Sequence, residues 1–432
     1  MAAATVTPRR GSAPRARAGR RPVEYSILFT ATLCLLALGA VMVYSASSAE
    51  SLLTGSGDSS TYLKRYVLFG LAGIVALHLL ARHGLALVRD ATPLVLGIAF
   101  ACTLAVMVPG IGVEVNGATR WLAAGPLQFQ PSELLKLAII LYAVRLLAWR
   151  PGCVASLGEL ARPLLLVVGA AGALLMAQPD MGTTMVICFA LGALLIAAGT
   201  PIRILAALGA GLAALALLLA VIEPYRMARL TAFLDPFADA GGAGFQSVQA
   251  LVAIGSGGFF GVGLGESVQK IFYLPEAHTD MILAIIGEEL GVLGILAVVA
   301  LYGMIGYAGL RAAKAASDRY SKLLAAGITS LILCQATLNF FAVLGMAPLT
   351  GVPLPFISYG STNLIVLLGA MGLLLNVAAT GGLPTRAARP VSGRSGRLRA
   401  IDGGARATDR DGGRRDGRAR RAGSGGRGRA AG

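Results

Sequence analysis

Charged residues are scarce in this chain, since only 13% of its 432 residues are Asp, Glu, Lys or Arg. That is about half the share of an ordinary soluble domain. Histidine and cysteine are also few, with three and five residues at spacings that fit neither a zinc site nor a disulfide framework. What remains is 56% hydrophobic. These features exclude an ordinary soluble enzyme and a metal- or disulfide-stapled domain, and they indicate an integral membrane protein.

Apolar runs long enough to cross a bilayer, which takes about 20 residues of helix, recur along the chain. They lie at about 26–46, 63–81, 91–109, 132–149, 163–179, 182–199, 203–222, 280–302, 323–345 and 362–380. The first run exceeds the core of a signal peptide, so we interpret it as an uncleaved helix. The sequence therefore predicts an all-α integral membrane protein of about ten transmembrane helices over residues 25–380.

The net charge of +16 comes mostly from the two ends of the chain. The predicted tails, 1–24 and 381–432, are rich in arginine, lack apolar periodicity and are predicted to be disordered. No aromatic residues alternate with these arginines, so we expect attraction to anionic lipid and no nucleic-acid binding. If both termini are cytoplasmic, 30 of the 37 lysines and arginines lie on that side, as the positive-inside rule requires.

This topology leaves three outer loops, at about 110–130, 223–279 and 348–361, of which the second, between helices 7 and 8, is much the largest. The first and its following helix carry Arg120, Glu133 and Lys136. Glu133 and Lys136 share one helix face, either as a structural ion pair or as a polar floor for an anionic head group. Arg120 suits phosphate through its planar fork. Asp180 follows a predicted tight outer turn, where capping of the next helix is the alternative interpretation.

Ionisable residues are densest at the end of the largest loop, which carries Lys270, Glu276, His278 and Asp280, with Glu288 two helical turns further on. Charges near membrane depth are functional candidates by default. Asp280 is the best candidate for a general base, because partial burial tunes a carboxylate toward neutral pH. The alternative is a charge that interacts with the helix dipole. For Glu288 the alternative is a structural hydrogen bond.

Six strings on the predicted outer face resemble the pattern of the SEDS (shape, elongation, division and sporulation) family, in order and spacing. They are Gly117–Leu122, Gly125–Glu133, Gln178–Thr183, Leu274–Asp280, Gly287–Gly291 and Pro353–Gly360. The resemblance runs from about residue 25 to 380. Val41–Ser47 and Gly263–Lys270 resemble the division-type branch of the family more than the elongation-type branch.

The resemblance implies a peptidoglycan glycosyltransferase that polymerises lipid II, an undecaprenyl-pyrophosphate disaccharide-pentapeptide, into β-1,4 glycan strands with inversion. It places the reaction at the outer face of a bacterial plasma membrane, at the division septum. It makes Asp280 the catalytic base. The substrate-binding residues it implies are Arg120, Glu133, Lys136, Asp180, Lys270, Glu276, His278 and Glu288.

The same resemblance implies two kinds of partner, a class B penicillin-binding transpeptidase and other membrane proteins of the divisome. It is compatible with a divalent cation, Mg²⁺ or Mn²⁺, for which the sequence assigns no ligands, and with no organic cofactor. The chain departs from the family pattern at Ser361–Asn363, where a second glycine is replaced. A lipid II flippase and a non-catalytic divisome scaffold are the alternative functions.

Overall fold

The computed structural model describes residues 22–53, 58–115, 117–124, 127–222 and 224–381, so the predicted tails lie almost wholly outside it. A 3₁₀ turn at Pro151–Ala155 and a π-helical turn at Ala161–Leu165 lie on either side of residues 157–160. The α-helices are, in chain order, α1 (Val23–Leu53), α2 (Thr61–Ala105), α3 (Pro131–Trp149), α4 (Leu157–Leu160), α5 (Leu166–Ala177), α6 (Met181–Ala198), α7 (Ile202–Ile222), α8 (Pro224–Leu234), α9 (Phe245–Gly257), α10 (Ile282–Ala315), α11 (Arg319–Val343) and α12 (Ser361–Thr380).

Eight helical segments of the described chain are long and apolar enough to cross a membrane. They are α1, α2, the segment Leu157–Ala177 that includes α4 and α5, α6, α7, α10, α11 and α12. The core lies along α10, α11 and α12, whose most apolar windows are 61%, 72% and 83% buried, whereas α7 buries none of its window. The predicted class, an all-α membrane protein with several spans, is confirmed.

Helix α2 combines two of the predicted runs. Near its first turn the Tyr66 hydroxyl donates to the carbonyl of Phe356, and near its last turn Thr103 accepts from the Gln178 amide. Both partners lie in loops on one side of the bundle. The middle of α2 contacts the far end of α12, where the Asn376 amide donates to two α2 carbonyls. A straight helix of 45 residues would extend about 68 Å, so we infer that α2 folds back and crosses twice.

Helix α3 accounts for the other difference from the predicted count. It is 19 residues long but carries Glu133, Lys136 and Arg145, and is therefore too charged to pass as an apolar span. It is nonetheless buried along most of its length. Counting α2 twice and adding α3 brings the eight segments to the ten crossings that the sequence predicts.

A three-stranded antiparallel sheet stands where the sequence predicted the first outer loop. Strands β1 (Gly112–Val115), β2 (Ala118–Ala124) and β3 (Leu127–Phe129) pair in the order β1-β2-β3. The strands are short and the β1–β2 register is irregular, which explains why no clear alternation marks them in the sequence. The sheet lies on the same side of the bundle as the Gln178 turn, which we call the site side.

The largest predicted loop, 223–279, contains two helices, α8 and α9, followed by a segment that returns along α10. Helix α10 breaks at Gly291, whose φ of 67° and ψ of −164° are outside the helical region. The amides of Val262 and Gly263 donate to the carbonyls of Glu288 and Glu289, at 2.9 and 3.1 Å. The loop at Gly261–Gly265 therefore satisfies carbonyls of the broken helix.

Helix α9 packs closely against α10 near this break, and its last residue, Gly257, has no room for a side chain. A Cβ there would lie 2.0 Å from the carbonyl oxygen of Gly287. Gly257→Ala is therefore expected to push α9 away from α10 and to lower stability by about 1–3 kcal/mol, measured as thermal unfolding of the detergent-solubilised chain. Gly255→Ala is the matched control, since its Cβ meets nothing within 4 Å. Equal melting temperatures for both variants would contradict this packing.

Candidate active site

Asp280 lies on the site side, immediately before α10 begins at Ile282, and is half-buried. Its main-chain carbonyl accepts from the amide of Asn339, at 2.7 Å. Its Oδ1 lies 3.3 Å from the Thr279 hydroxyl oxygen. On the opposite wall, a Cβ on Gly351 would lie 3.7 Å from Oδ2. The backbone of Asp280 is thus anchored, and within the described residues its carboxylate forms no ion pair.

Burial raises the pKa of Asp280 to about 7, and the negative charge of Glu276 adds to this rise. The positive charge of Arg229 on α8 acts in the opposite direction. A carboxyl group with a pKa near neutral is matched to taking up a proton at physiological pH. Burial and the neighbouring Glu276 therefore give Asp280 a pKa that suits the predicted general base.

Glu276 is held beside Asp280 by a strained turn. Its φ is +56°, a left-handed conformation that residues other than glycine rarely adopt. Its main-chain carbonyl accepts from the amides of Thr279 and Met281, at 3.1 and 3.2 Å, and its carboxylate accepts from the Thr279 hydroxyl at 2.7 Å. The turn that carries Glu276 therefore ends at Asp280, and fixes the separation of the two carboxylates.

Because the Glu276 charge raises the pKa of Asp280, Glu276→Gln is expected to lower it. Any reaction that needs ionised Asp280 should then keep more of its rate in acid. In the wild type, only about a tenth of Asp280 is ionised at about pH 6. The ratio of the rate at pH 6 to the rate at pH 8 should therefore be up to about tenfold higher in Glu276→Gln than in the wild type. A pH–rate profile of each form measures this. If the acidic limb of the Glu276→Gln profile coincides with that of the wild type, or lies at higher pH, Glu276 does not raise the pKa of Asp280.

His278 is buried two residues before Asp280, in a cluster with two tyrosines. Its ring centroid lies 4.4 Å from that of Tyr62 and 5.7 Å from that of Tyr359. The Tyr359 amide donates to the His278 carbonyl, at 3.0 Å. These contacts fix the Asp280 loop against α2 and the start of α12. In the structure, His278 therefore positions the loop.

Glu133 and Lys136 form an ion pair on α3, at 2.9 Å, with both side chains 2% exposed, which agrees with the structural of the two interpretations. Glu133 also accepts from the Asn363 amide at 2.6 Å, and Lys136 donates to Gln335 at 2.9 Å. Asn363 belongs to the string that departs from the family pattern. The departure thus supplies a hydrogen bond to a buried carboxylate.

The ion pair is linked to Asp280 through the segment before α12. The Gln335 amide, which holds Lys136, also donates to the carbonyl of Pro353 at 2.9 Å. Asn339, one turn further along α11, bridges the carbonyls of Val352 and Asp280, at 2.8 and 2.7 Å. Lys136 is therefore connected to Asp280 through the backbone and does not contact its carboxylate.

Arg120 and Asp180 meet at the turn between α5 and α6. Arg120, on β2, donates to the carbonyls of Gln178 and Pro179, at 3.0 and 2.5 Å. The Asp180 carboxylate accepts from the Thr183 amide at 3.0 Å and caps α6. The capping interpretation of Asp180 is confirmed, and Arg120 ties the sheet to this turn.

Lys270 and Glu288 lie deeper, where the returning loop packs on α10. Lys270 pairs with Glu289 at 2.9 Å and donates to Ser45 of α1 at 3.1 Å. Glu288 accepts from the Ser267 hydroxyl at 2.5 Å. All of these side chains are buried. The structure therefore uses Lys270 and Glu288 to clamp the loop, and does not bring them to the Asp280 carboxylate.

One family model matches the chain over residues 25–381, and its description is a cell cycle protein of the FtsW, RodA and SpoVE type. The chain belongs to the FtsW/RodA/SpoVE family. This is the SEDS family that the outer strings predicted.

Two relatives and two solved structures place this FtsW/RodA/SpoVE member more closely. It is 41% identical over 361 residues to the probable peptidoglycan glycosyltransferase FtsW of Geobacter sp. (strain M18), covering 82% of this chain and 96% of the relative. It is 38% identical over 353 residues to stage V sporulation protein E of Bacillus subtilis (strain 168), with coverages of 82% and 96%. The RodA crystal structure from Thermus thermophilus matches with a TM-score of 0.61 and 28% identity, over 83% of this chain and 97% of RodA. A chain from a peptidoglycan synthase complex, described as coordinating polymerization and crosslinking, matches with a TM-score of 0.68 and 28% identity, over 83% and 98%.

Arg229 is the charged residue of this family member that sequence reasoning missed as a site residue. It lies on α8, and its guanidinium donates to the carbonyl of Leu349 at 2.9 Å. The sequence shows it only as one of several cations on the site side. The signal that could have found it is the mixture of basic and apolar residues in Pro224–Leu234, which is typical of an amphipathic surface helix.

The divalent cation implied by the resemblance finds no ready cage in the described residues of this family member. Among them, no group of three or more His, Cys, Asp or Glu side chains is arranged to hold a metal ion. Glu276 and Asp280 are neighbours, but a pair of carboxylates holds Mg²⁺ only together with water and substrate phosphate oxygens. We therefore derive no chemical step through a cation.

Proposed function

We propose that this protein polymerises lipid II, with Asp280 as the general base. The observation that carries the proposal is the half-buried carboxylate at the site side, whose pKa burial raises to about 7. The relatives named as probable peptidoglycan glycosyltransferases support the reaction class. The substrate is lipid II and the product is a β-1,4 glycan strand that remains attached to a lipid carrier.

The chemistry asked of Asp280 is one proton transfer. The 4-hydroxyl of one lipid II attacks the anomeric carbon of the growing strand, and its proton passes to the Asp280 carboxylate. The bond from the anomeric carbon to the phosphate oxygen breaks, and its electron pair leaves with the lipid pyrophosphate. Attack from the face opposite the leaving group inverts the configuration. General base catalysis of this kind contributes about 10²–10⁴-fold to the rate.

We further propose that the site side faces the outside of the plasma membrane and that both termini are cytoplasmic. Basic residues on the opposite side support this orientation under the positive-inside rule. Arg145 donates to the carbonyl of Arg89, and Arg319 to that of Leu147, at that end of the bundle. The relatives named FtsW support a role in division, at the septum.

A class B penicillin-binding transpeptidase is the proposed partner, with other divisome membrane proteins. The similar chain in a peptidoglycan synthase complex supports this pairing, because that complex couples polymerization to crosslinking. The peptides of a glycan strand made at the Asp280 site must be crosslinked by a second enzyme. The transpeptidase therefore fits as the next enzyme to act on the product.

The proposal is tested by glycan synthesis from lipid II with the purified full chain and its transpeptidase, whose own chemistry is blocked by a β-lactam. Long strands, resolved by gel electrophoresis, are the expected result. Absence of strands from an intact complex, together with lipid II transfer across vesicles, would replace the polymerase by a flippase. Strands made only by a partner enzyme would make this chain a scaffold.

A further inference from the structure

A cavity of about 650 Å³ opens at the end of the bundle opposite the site side, lined by the connection between α3 and α5. Its lining includes Arg150 and Arg162. We propose that this cavity binds the phosphate headgroup of an anionic phospholipid. The site is separate from Asp280, and the proposal does not depend on the proposed function.

The connection between α3 and α5 is built largely from short turns. The 3₁₀ turn Pro151–Ala155 follows α3, and the π-helical turn Ala161–Leu165 precedes α5. Pro163 in the second turn has no amide hydrogen, so a regular α-helix would lose a hydrogen bond there. The Tyr142 hydroxyl of α3 donates to the Pro163 carbonyl at 2.5 Å and holds the turn beside α3. Such π-helical turns are frequent at functional sites.

The guanidinium groups of Arg150 and Arg162 are available to a ligand. Both residues are exposed, and neither guanidinium forms a hydrogen bond or an ion pair within the described residues. Arg150 lies over the Trp149 ring, 4.9 Å from its centroid, a contact that holds it in place without an anionic partner. Glu159 is the one carboxylate in the lining, and it is also exposed. Two arginines against one glutamate leave the lining with an excess of positive charge.

The buried part of the lining is neutral. Burial raises the pKa of the Cys153 thiol, so this side chain carries no charge at neutral pH. The charge of Arg319 also reaches Cys153, and Arg319 itself donates to the carbonyls of Leu147 and Ala198, at 3.1 and 3.4 Å. An anion in the cavity therefore meets two available guanidinium groups and the field of a third.

The rim of the cavity favours a lipid over a soluble anion. Trp149 is 75% exposed at the end of α3, a position where tryptophan typically marks the boundary between lipid and water. Leu166, at the start of α5, is 68% exposed, and Leu157 is exposed as well. A ligand with a phosphate between the arginines and acyl chains against this apolar rim is a phospholipid. Basic pockets between transmembrane helices bind such headgroups in other membrane proteins.

A second cavity at this end of the bundle shows that one arginine in a lining is not enough. Its volume is about 430 Å³, and Arg89 lines it together with Asp90 and Asp318. Two carboxylates outweigh this arginine, which already lies over the Tyr320 ring, 5.4 Å from its centroid. The lining, and not exposure alone, therefore singles out the two arginines of the first cavity. Among the described residues at this end, the cations that line neither cavity are Arg82, Arg145, Arg203, Arg311, Lys314, Arg319 and Lys322.

The site is tested locally by quenching of Trp149 fluorescence with phospholipids brominated on their acyl chains. Trp121→Phe leaves Trp149 as the one tryptophan of the full chain. This parent protein is reconstituted into phosphatidylcholine bilayers with brominated phosphatidylglycerol or brominated phosphatidylethanolamine. Stronger quenching by the anionic phosphatidylglycerol is the expected result. Arg150→Gln/Arg162→Gln should lower this preference by about tenfold or more, since each arginine near a headgroup contributes about fivefold.

Lys314→Gln/Lys322→Gln is the matched control, because it removes two positive charges from exposed residues at the same end of the bundle but outside the cavity. This variant should keep the preference for phosphatidylglycerol. If the double arginine variant fails to fold, Arg162→Gln alone still tests the site, because Arg162 is exposed and its guanidinium has no partner in the described ranges. It should lower the preference by about fivefold.

Three results would overturn the proposal. The first is equal quenching of the parent protein by the two brominated lipids. The second is an equal loss of preference in the arginine and lysine variants, which would show a general attraction of anionic lipid to the basic end of the bundle. The third is loss of the preference when inorganic phosphate is added at constant ionic strength. Free phosphate has no acyl chains for the apolar rim, so its success as a competitor would make the cavity a site for soluble anions.

Discussion

Asp280→Asn is expected to abolish glycan synthesis, with a fall in rate of at least about a hundredfold. Asparagine keeps the size of the side chain but cannot take a proton from a sugar hydroxyl. The fold should survive, because the hydrogen bond from Asn339 goes to the main-chain carbonyl of residue 280. The measurement is strand formation from lipid II by the complex with its transpeptidase, with thermal unfolding recorded on the same preparation.

The matched control for this variant is Asp58→Asn. Asp58 is a carboxylate on the same side of the bundle, exposed and paired with Lys64. It should retain wild-type strand synthesis. Wild-type rates from a well-folded Asp280→Asn protein would remove this carboxylate from the mechanism. In that case the near-neutral pKa would reflect burial alone.

Lys136→Met is expected to give the largest loss of stability, about 3–5 kcal/mol. The substitution leaves the Glu133 carboxylate buried, with the Asn363 amide as its remaining named partner. An uncompensated buried charge is costly because the protein cannot replace its hydration. Thermal or denaturant unfolding of the solubilised chain measures the loss. Strand synthesis should also fall, because Gln335, whose amide donates to the Pro353 carbonyl, loses its hydrogen bond from Lys136.

The double variant Glu133→Gln/Lys136→Met separates charge from packing. It removes both charges from the buried pair, so it should recover most of the stability lost in Lys136→Met. Lys64→Met, which breaks an exposed pair, should change stability little. If Lys136→Met melts with the wild type, the ion pair does not stabilise the fold and does not organise the wall of the site.

Much of the fold could be predicted from hydropathy, because nearly every crossing is a long apolar run. The run at 132–149 is helix α3, as predicted, and its Glu133 and Lys136 pair with each other inside the bundle. One part of the fold was missed, for a physical reason. The loop at 223–279 hid α8 and α9, since helices at a membrane surface lack a continuous apolar run and depend on tertiary contacts.

The site could be predicted only where neighbours in sequence are neighbours in space. Glu276, His278 and Asp280 belong to one turn, so spacing along the chain places them together. Arg229 and Gly351 come from distant segments, and only the folded backbone brings them to Asp280. The family resemblance also implied a substrate role for Lys270, but the loop buries this side chain against α10, where it pairs with Glu289.

The pH dependence of glycan synthesis by the wild-type complex tests the central claim most directly. If Asp280 is the base, the rate should rise about tenfold per pH unit at acid pH and level off near pH 7, where half of the carboxyl is ionised. Glu276→Gln should move the limb down and Arg229→Gln should move it up. A rate that stays flat from about pH 5 to pH 8, in a complex that remains folded, would contradict proton transfer to Asp280.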